Sequence, residues 1–318
     1  MKNLVLRLLT FSINILASLL GRVVRLGGVS DAVLVRAAMT MFSQARPARD
    51  FLDPVAGRES GGAVTAGFLR SVENVGGDIS DIINFSSRMR DDWVRRMAGD
   101  IPPGARVLDA GAGECQYRAL FSHTKYETQD FGGYKGSTEG LLAEEWKYGK
   151  IDYLCDITSI PVEDARFDVV LCTEVLEHVV DPVGTLKELT RVLRPGGKLL
   201  LSAPLGSGLH QQPHHYFGGF TPHFYTRHLG QCGYEHVQIS PLGGLLRHVA
   251  QECHRVGRVI SARMQPVPEW TILDLMMNWL PRVLSSLDDA YFVEEFTVGY
   301  LVEATKARQD LGLSTVSQ

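Results

Sequence analysis

The chain has 318 residues and a formal net charge of −4, with 32 Lys and Arg against 36 Asp and Glu. That length allows one large domain with extensions, and the absence of a basic excess argues against nucleic acid as a partner. Five cysteines, an odd number without a CxxC pair, argue against a disulfide framework and a zinc knuckle. We therefore expect a protein of a reducing compartment, the cytoplasm.

The first element, residues 1–26, predicts an amphipathic helix. Its polar residues recur at steps of 3, 4 or 7 and so line one narrow face. Such a helix can lie in a membrane interface with its arginines toward lipid head groups, although packing on the protein's own core stays open. A cleaved signal and a spanning helix are disfavoured, because polar residues interrupt the apolar run. The polar positions are Asn3, Arg7, Thr10, Asn14, Ser18 and Arg25.

The whole chain divides by composition into three parts. Residues 1–84 comprise the predicted helix and an irregular connection rich in Gly, Pro, Ser and charge. A main domain is predicted for 85–306, with a helical insertion at 244–295, and 307–318 form a tail. The insertion contains WTILDLMMNWLPRVLSSL, which either closes over the sheet, forms a dimer surface or faces lipid.

From residue 105 onward, short apolar runs alternate with helical segments. Several runs are too continuously apolar for a sheet with one wet face, so helices must cover both faces. The pattern predicts an α/β fold with a doubly wound, mostly parallel sheet, whose ligands bind at the carboxyl ends of the strands. The strand candidates are ARVLDA, KYETQD, IDYLCD, FDVVLCTEV, GKLLLSAP, YEHVQIS and TVGYLVEAT.

Each of the first four strands ends on a residue suited to a ligand. The first passes from Asp109 into a glycine turn, where the backbone can approach a ligand and a helix start offers free N–H groups. Asp130, 19 positions after Gly111, is spaced to accept hydrogen bonds from ribose hydroxyls. Asp156 can accept from an adenine amino group, and the fourth strand runs into Thr173. Together these ends predict a nucleotide-type site.

Four stretches carry a resemblance to a known family. The chain resembles the class I S-adenosylmethionine-dependent methyltransferases, in particular the type-11 methyltransferase domain family, over roughly 85–240. The matching text is VLDAGAGECQY, YETQD, LCDITSIPVEDARFDVVLCTEVLEHVVDP and LKELTRVLRPGGKLLLSAP.

The resemblance implies S-adenosylmethionine as the cofactor and a Rossmann-like fold. S-adenosylmethionine is a sulfonium with one adenosine and has no pyrophosphate, so a turn with two glycines suffices to bind it. A nearby acid attracts the positive sulfur. By this resemblance Asp130 holds the ribose, Asp156 faces the adenine and Ile157 packs on the ring. The residues that border the methionine moiety are Asp109, Gly111 and Gly113. Cys115 stands where relatives often have a small residue.

The segment 208–225, GLHQQPHHYFGGFTPHFY, groups four histidines with aromatic residues. A metal site is disfavoured because no carboxylate or cysteine is suitably spaced, and we expect none. A solvated loop remains open. By the resemblance, the segment forms a wall of the acceptor pocket, where His214 or His215 could take a proton from an acceptor hydroxyl. Glu177 and His178 recur in the family after the fourth strand, beside the active cleft. A role as a base stays open for them, but we favour their interpretation as polar residues at a helix start near the rim.

The two apolar appendages, 1–26 and the insertion, indicate an amphiphilic acceptor. We therefore predict O-methylation of a lipid-linked or other amphiphilic small molecule, such as a glycan lipid, a polyprenoid or a quinone, by a protein peripheral on the cytoplasmic membrane. Two alternatives remain: an NAD-dependent oxidoreductase and a non-catalytic, membrane-associated binding protein with this fold.

Overall fold

The computed structural model describes residues 78–136, 146–263 and 275–308. The predicted helix 1–26, almost all of the irregular connection and most of the tail lie outside these residues. Among the described helices, none has the length and apolarity needed to cross a bilayer.

A seven-stranded sheet organises the main domain, in the order β3-β2-β1-β4-β5-β7-β6. Strands β1 to β5 are parallel, and β7 inserts antiparallel to both of its neighbours. This arrangement confirms the predicted doubly wound, mostly parallel sheet. The strands are β1 (Arg106–Ala110), β2 (Lys125–Asp130), β3 (Tyr153–Leu154), β4 (Phe167–Thr173), β5 (Leu193–Pro204), β6 (Tyr234–Pro241) and β7 (Gly299–Lys306).

Continuous apolar runs form the central strands because both faces of the sheet are covered. Consecutive residues of β1 belong to opposite cores: Val107 packs on one face and Leu108 on the other, and both are fully buried. Within the described residues, the α-helices are α1 (Ile79–Ile83), α2 (Phe85–Gly99), α3 (Pro182–Val192), α4 (Pro222–Gln231), α5 (Leu245–Arg263) and α6 (Leu280–Asp288).

Local signals start two of these helices. Asp181 accepts the backbone N–H of Gly184 at 2.8 Å ahead of α3, and Thr221 accepts that of Phe224 ahead of α4. In both cases proline occupies the first turn, where its missing N–H costs nothing.

The segment after β1 differs from the sequence prediction. In place of a helix start, residues 113–123 form successive turns closed by hydrogen bonds between residues three apart. The N–H of Cys115 donates to the carbonyl oxygen of Ala112, and that of Arg118 donates to the carbonyl oxygen of Cys115. Cys115 has a φ of +58°, a left-handed conformation that interrupts a right-handed helix.

The fifth strand begins earlier than the predicted run GKLLLSAP, which starts at Gly197. β5 already begins at Leu193, directly after α3, and the register shifts in its pairing with β4. Gly196 absorbs this bulge with a φ of +72°.

The insertion between β6 and β7 is helical, as predicted. It contains α5, a π-helical segment at Leu275–Trp279 and α6. The chain divides into two compact units, one of residues 79–252 and 288–318 and the other of residues 1–78 and 253–287. Within the second unit, His254 Nδ1 lies 3.1 Å from the carbonyl oxygen of Met277.

Candidate active site

A cavity of about 620 Å³ opens at the carboxyl ends of β1, β2 and β4. Its volume lies in the range of small-molecule sites. The structure brings all seven predicted cofactor residues to its wall, because parallel strands end at one edge of the sheet. These residues are Asp109, Gly111, Gly113, Asp130, Asp156, Ile157 and Thr173.

The glycine turn after β1 is held by the end of β2. The backbone N–H of Gly111 donates to the carbonyl oxygen of Gln129 at 2.9 Å and to its side-chain Oε1 at 3.1 Å. Gly111 has a φ of +75°, and a Cβ there would lie 2.4 Å from Cγ2 of Val175. Only glycine fits this turn without displacing a neighbour.

Asp130 joins the ends of β1 and β2. Its Oδ2 accepts the N–H of Gly113 at 3.0 Å and its Oδ1 accepts that of Gly132 at 2.9 Å. The carboxylate is buried, with 6% of its surface exposed, yet it lines the cavity. Each oxygen has a second lone pair with which to accept a ligand hydroxyl.

Asp109 is the most deeply placed acid of the cavity. It is 3% exposed and accepts the hydroxyl of Tyr126. Burial raises its pKa to about 6, the Tyr126 hydrogen bond opposes that rise, and the charge of Asp130 adds to it. A cationic ligand group beside Asp109 would stabilise its ionised form.

Asp156 and Ile157 form the outer part of the same wall. Asp156 is exposed, and its Oδ1 accepts both the N–H and the hydroxyl of Thr158, at 2.8 and 2.6 Å, which lowers its pKa. Ile157 is buried and lines the cavity with an apolar surface.

An aromatic wall of Tyr134, Trp146 and Tyr148 also lines the cavity, and the sequence prediction missed it. Ring centroids lie 5.3 Å apart between Tyr134 and Trp146 and 6.0 Å apart between Trp146 and Tyr148. Tyr148 accepts the N–H of Tyr134 at 3.0 Å, which ties the two sides of this wall together. The sequence feature that could have predicted this wall is the density of aromatic residues in 131–148, although aromatic residues more often indicate a hydrophobic core.

An ion pair that the sequence prediction also missed lies at the wall of the cavity. Arg90 Nη1 of α2 lies 3.3 Å from Glu174 Oε2, and both residues line the cavity. Glu174 also accepts the hydroxyl of Ser202 at 2.7 Å. Nothing in the charged helix pattern around Arg90 distinguishes it from its solvated neighbours.

Of the two predicted base residues, the structure brings only His214 to the cavity. The His214 ring meets that of Phe131 edge-on, with centroids 5.0 Å apart. His215 does not line the cavity, and its Nε2 lies 3.1 Å from the hydroxyl oxygen of Ser207. The contact with Ser207 holds the His215 side chain outside the cavity lining.

The positions of Glu177 and His178 differ from the interpretation that both lie near the rim of the cavity. They lie in a short 3₁₀ turn after β4, and Glu177 is 1% exposed and not a rim residue. Burial raises the pKa of Glu177 well above its usual range, and the charge of Glu174 adds to that rise. His178 lines the cavity, and burial lowers its pKa to about 4.

Comparison with known proteins agrees with this geometry. Residues 108–201 match the family model described as a methyltransferase domain. The chain is 26% identical over 174 residues to a glycine/sarcosine/dimethylglycine N-methyltransferase of Actinopolyspora halophila, covering 48% of this chain and 30% of that protein. It is 29% identical over 122 residues to a ubiquinone biosynthesis O-methyltransferase of Acinetobacter baylyi, covering 36% of this chain and 49% of that protein.

The chain spans less than half the length of these curated relatives. Among solved structures, a phosphoethanolamine N-methyltransferase 2 of Haemonchus contortus in complex with S-adenosyl-L-methionine aligns with a TM-score of 0.41 and 17% identity, covering 70% of this chain and 53% of that one. The matched segment 108–201 contains β2 to β4 and most of β1 and β5, and it supplies most of the acidic wall of the cavity. Residues 108–201 are therefore similar to a methyltransferase domain.

Proposed function

We propose that the chain is an S-adenosylmethionine-dependent methyltransferase that methylates an oxygen of a lipid-linked or amphiphilic acceptor. The observation that carries the proposal is the convergence of Asp109, Asp130 and Asp156 on one cavity, each at or just beyond the end of a parallel strand. This is the edge at which doubly wound sheets bind nucleotides.

The residues of the cavity suit a cationic adenosyl ligand. Asp109 would lie beside the positive sulfur, since burial strengthens the attraction between opposite charges. Asp130, already oriented by two backbone N–H groups, would accept the ribose hydroxyls, and Ile157 would pack on the adenine. When bound, the ligand supplies an electrophilic methyl group on a good leaving group.

The alternative of an NAD-dependent oxidoreductase fits this wall less well. Gln116 lines the cavity at the position of the third glycine of a dinucleotide fingerprint. The carboxylates of Asp109 and Asp130 border the same turn and would repel a pyrophosphate.

The protein's part in the transfer is positioning and, for a hydroxyl acceptor, removal of a proton. Holding the acceptor oxygen in line with the methyl group supplies much of the rate enhancement. His214, at the wall of the cavity, can take the proton that the acceptor loses.

The acceptor class is inferred from three features. The ubiquinone biosynthesis O-methyltransferase relative favours oxygen, although another relative is an N-methyltransferase. The predicted amphipathic helix 1–26 would hold the protein at the cytoplasmic face of a membrane, where amphiphilic acceptors reside. The apolar composition of the insertion also favours an amphiphilic acceptor.

A labelled-extract experiment tests the proposal. The full chain is incubated with native lipid extract and methyl-labelled S-adenosylmethionine, with Asp130→Asn as a control in which cofactor binding is weakened. Label in a lipid fraction is expected with the wild type and should be much reduced with the variant at a limiting cofactor concentration. Binding of the cofactor without label transfer to any fraction would instead support the non-catalytic binding protein, and tight NADH binding without S-adenosylmethionine binding would support the oxidoreductase.

Removal of residues 1–26 tests the membrane contact. The truncated chain is expected to leave the membrane pellet while keeping its affinity for S-adenosylhomocysteine. Retention in the pellet would contradict a contact through this helix.

A further inference from the structure

Three metal-ligating side chains meet beside the cavity: Glu177, His178 and His210. One potential ligand atom from each lies within 4.8 Å of the other two. Glu177 and His178 come from the 3₁₀ turn after β4, and His210 comes from the loop after β5. The loop is held to the turn because the N–H groups of Tyr216 and Phe217 both donate to the carbonyl oxygen of Glu177, at 2.9 and 3.2 Å.

The backbone sets which nitrogen of each histidine is free to bind a cation. His178 Nδ1 lies 2.8 Å from the carbonyl oxygen of His214, and His210 Nδ1 lies 2.9 Å from that of Gly208. A carbonyl oxygen can only accept, so both Nδ1 atoms carry the hydrogen and both Nε2 atoms carry a lone pair. A histidine that ligates a metal usually donates its other ring N–H to a carbonyl in this way.

The carboxylate of Glu177 faces one of these lone pairs. Glu177 Oε1 lies 3.7 Å from His178 Nε2, beyond hydrogen-bond distance, and within the described part of the chain Oε2 is buried without a hydrogen-bond partner. Burying a carboxylate oxygen without a partner is costly. A cation between Glu177 and the two imidazoles would satisfy all three groups.

We propose that Glu177, His178 and His210 bind a divalent transition-metal ion, with Zn²⁺ as the best match. Two imidazole nitrogens and one carboxylate oxygen form a donor set typical of Zn²⁺, which leaves a further coordination position open. Mg²⁺ and Ca²⁺ prefer sites made wholly of oxygen ligands. His215, whose ring centroid is 4.5 Å from that of His210, borders the site.

The position of the site suggests its use. His178 lines the cavity, so a bound cation lies at the cavity wall on the same side as His214. There its open position would hold an oxygen of the acceptor and lower the pKa of an acceptor hydroxyl. This role, unlike the binding of the metal, rests on the proposed methyl transfer.

Titration with Co²⁺ tests the binding directly. The full chain, purified without a polyhistidine tag and stripped with a chelator, is titrated while the d–d absorption of Co²⁺ is followed, and Zn²⁺ is then added as a competitor. We expect one equivalent to bind with a spectrum of low coordination number and Zn²⁺ to displace it. His178→Ala and His210→Ala should each weaken binding by at least about tenfold.

The control is His223→Ala, which removes an exposed histidine of α4 and should leave the titration unchanged. Glu177→Gln preserves the side-chain shape and should also weaken binding. If that buried variant fails to fold, His210→Ala in the loop still decides the question. Wild-type protein that binds no Co²⁺ or Zn²⁺, or histidine variants that bind as the wild type does, would overturn the proposal.

A second measurement separates this proposal from methyl transfer. Calorimetry with S-adenosylhomocysteine is performed on the metal-free and the metal-loaded protein. Cofactor binding without metal binding would refute the metal site and leave the proposed function intact. Metal binding without cofactor binding would support the metal site and refute the proposed function.

Discussion

Asp130 Oδ2 accepts the backbone N–H of Gly113 at 3.0 Å, which links the turn after β1 to the end of β2. The second oxygen accepts the N–H of Gly132, so one carboxylate sets the backbone on both sides of the cavity mouth. The residue proposed to hold the ribose therefore also shapes the glycine turn.

Replacement of Asp130 by Asn should weaken S-adenosylhomocysteine binding by at least about tenfold. The amide can accept only one of the two backbone N–H groups, and a hydrogen bond to a charged group contributes about 1.5–3 kcal/mol. Calorimetry measures the loss. Asp164→Asn is the matched control because Asp164 is an exposed carboxylate paired with Arg191; equal affinities in the two variants would contradict the assigned role.

Replacement of Gly111 by Ala should destabilise the fold and abolish most cofactor binding. The left-handed backbone costs about 1–2 kcal/mol for a non-glycine residue, and the new Cβ would lie 2.4 Å from Val175 Cγ2. Thermal unfolding and calorimetry report the two effects. Gly99→Ala, where a Cβ meets nothing within 4 Å, should unfold at or above the wild-type temperature.

The stability of the ligand-free protein should fall as the pH rises from about 4 to about 6. The pKa of Asp109 is raised from 3.8 to about 6, so the folded chain keeps a proton that the unfolded chain releases in this window. The free energy of unfolding should decrease by an amount on the order of 3 kcal/mol. Urea unfolding at several pH values measures it, and Asp109→Asn should flatten this part of the profile; an unchanged slope would remove Asp109 as its source.

The same titration should distinguish the cationic cofactor from its neutral product. As the pH rises through about 6, the Asp109 carboxyl loses its proton and becomes negatively charged. The charge attracts the positive sulfur of S-adenosylmethionine, so the affinity for this ligand should increase relative to that for S-adenosylhomocysteine. Calorimetry with both ligands measures the ratio of their dissociation constants. A ratio independent of pH in the wild type would place the sulfonium away from Asp109.

His214→Ala should lower kcat by about 10²-fold or more on a hydroxyl acceptor, with little change in cofactor affinity. The substitution keeps the carbonyl oxygen of residue 214 that His178 contacts, so the neighbouring turn is preserved. His215→Ala is the comparison, because His215 contacts Ser207 and does not line the cavity. Full turnover by the His214 variant on the true acceptor would exclude it as the base.

The sheet was predictable because its signals are local. β2 has the bounds of the KYETQD run, and the other strands fall within or near their apolar runs. The missed features depend on backbone conformations that composition does not report. Cys115 adopts a left-handed conformation after β1, and β5 begins at Leu193 through a bulge that Gly196 permits.

The acidic wall of the site was equally predictable, and the rest of the cavity was not. Asp109, Asp130 and Asp156 stand at or just beyond the ends of parallel strands, so the fold class alone predicts that they meet. Arg90 reaches the cavity from a helix that precedes the sheet, and only packing selects it from several arginines. His214 and His215 are adjacent in sequence, and only the path of the loop separates their roles.

The sequence by itself determined the doubly wound sheet and the acids along its edge, because alternating apolar runs and strand-terminal residues are properties of neighbouring positions. Only the tertiary structure decided what faces those acids. Glu177 and His210 are 33 positions apart, and no spacing rule joins them. They meet because the loop after β5 folds back and donates two backbone hydrogen bonds to Glu177, which places a buried carboxylate beside two imidazoles.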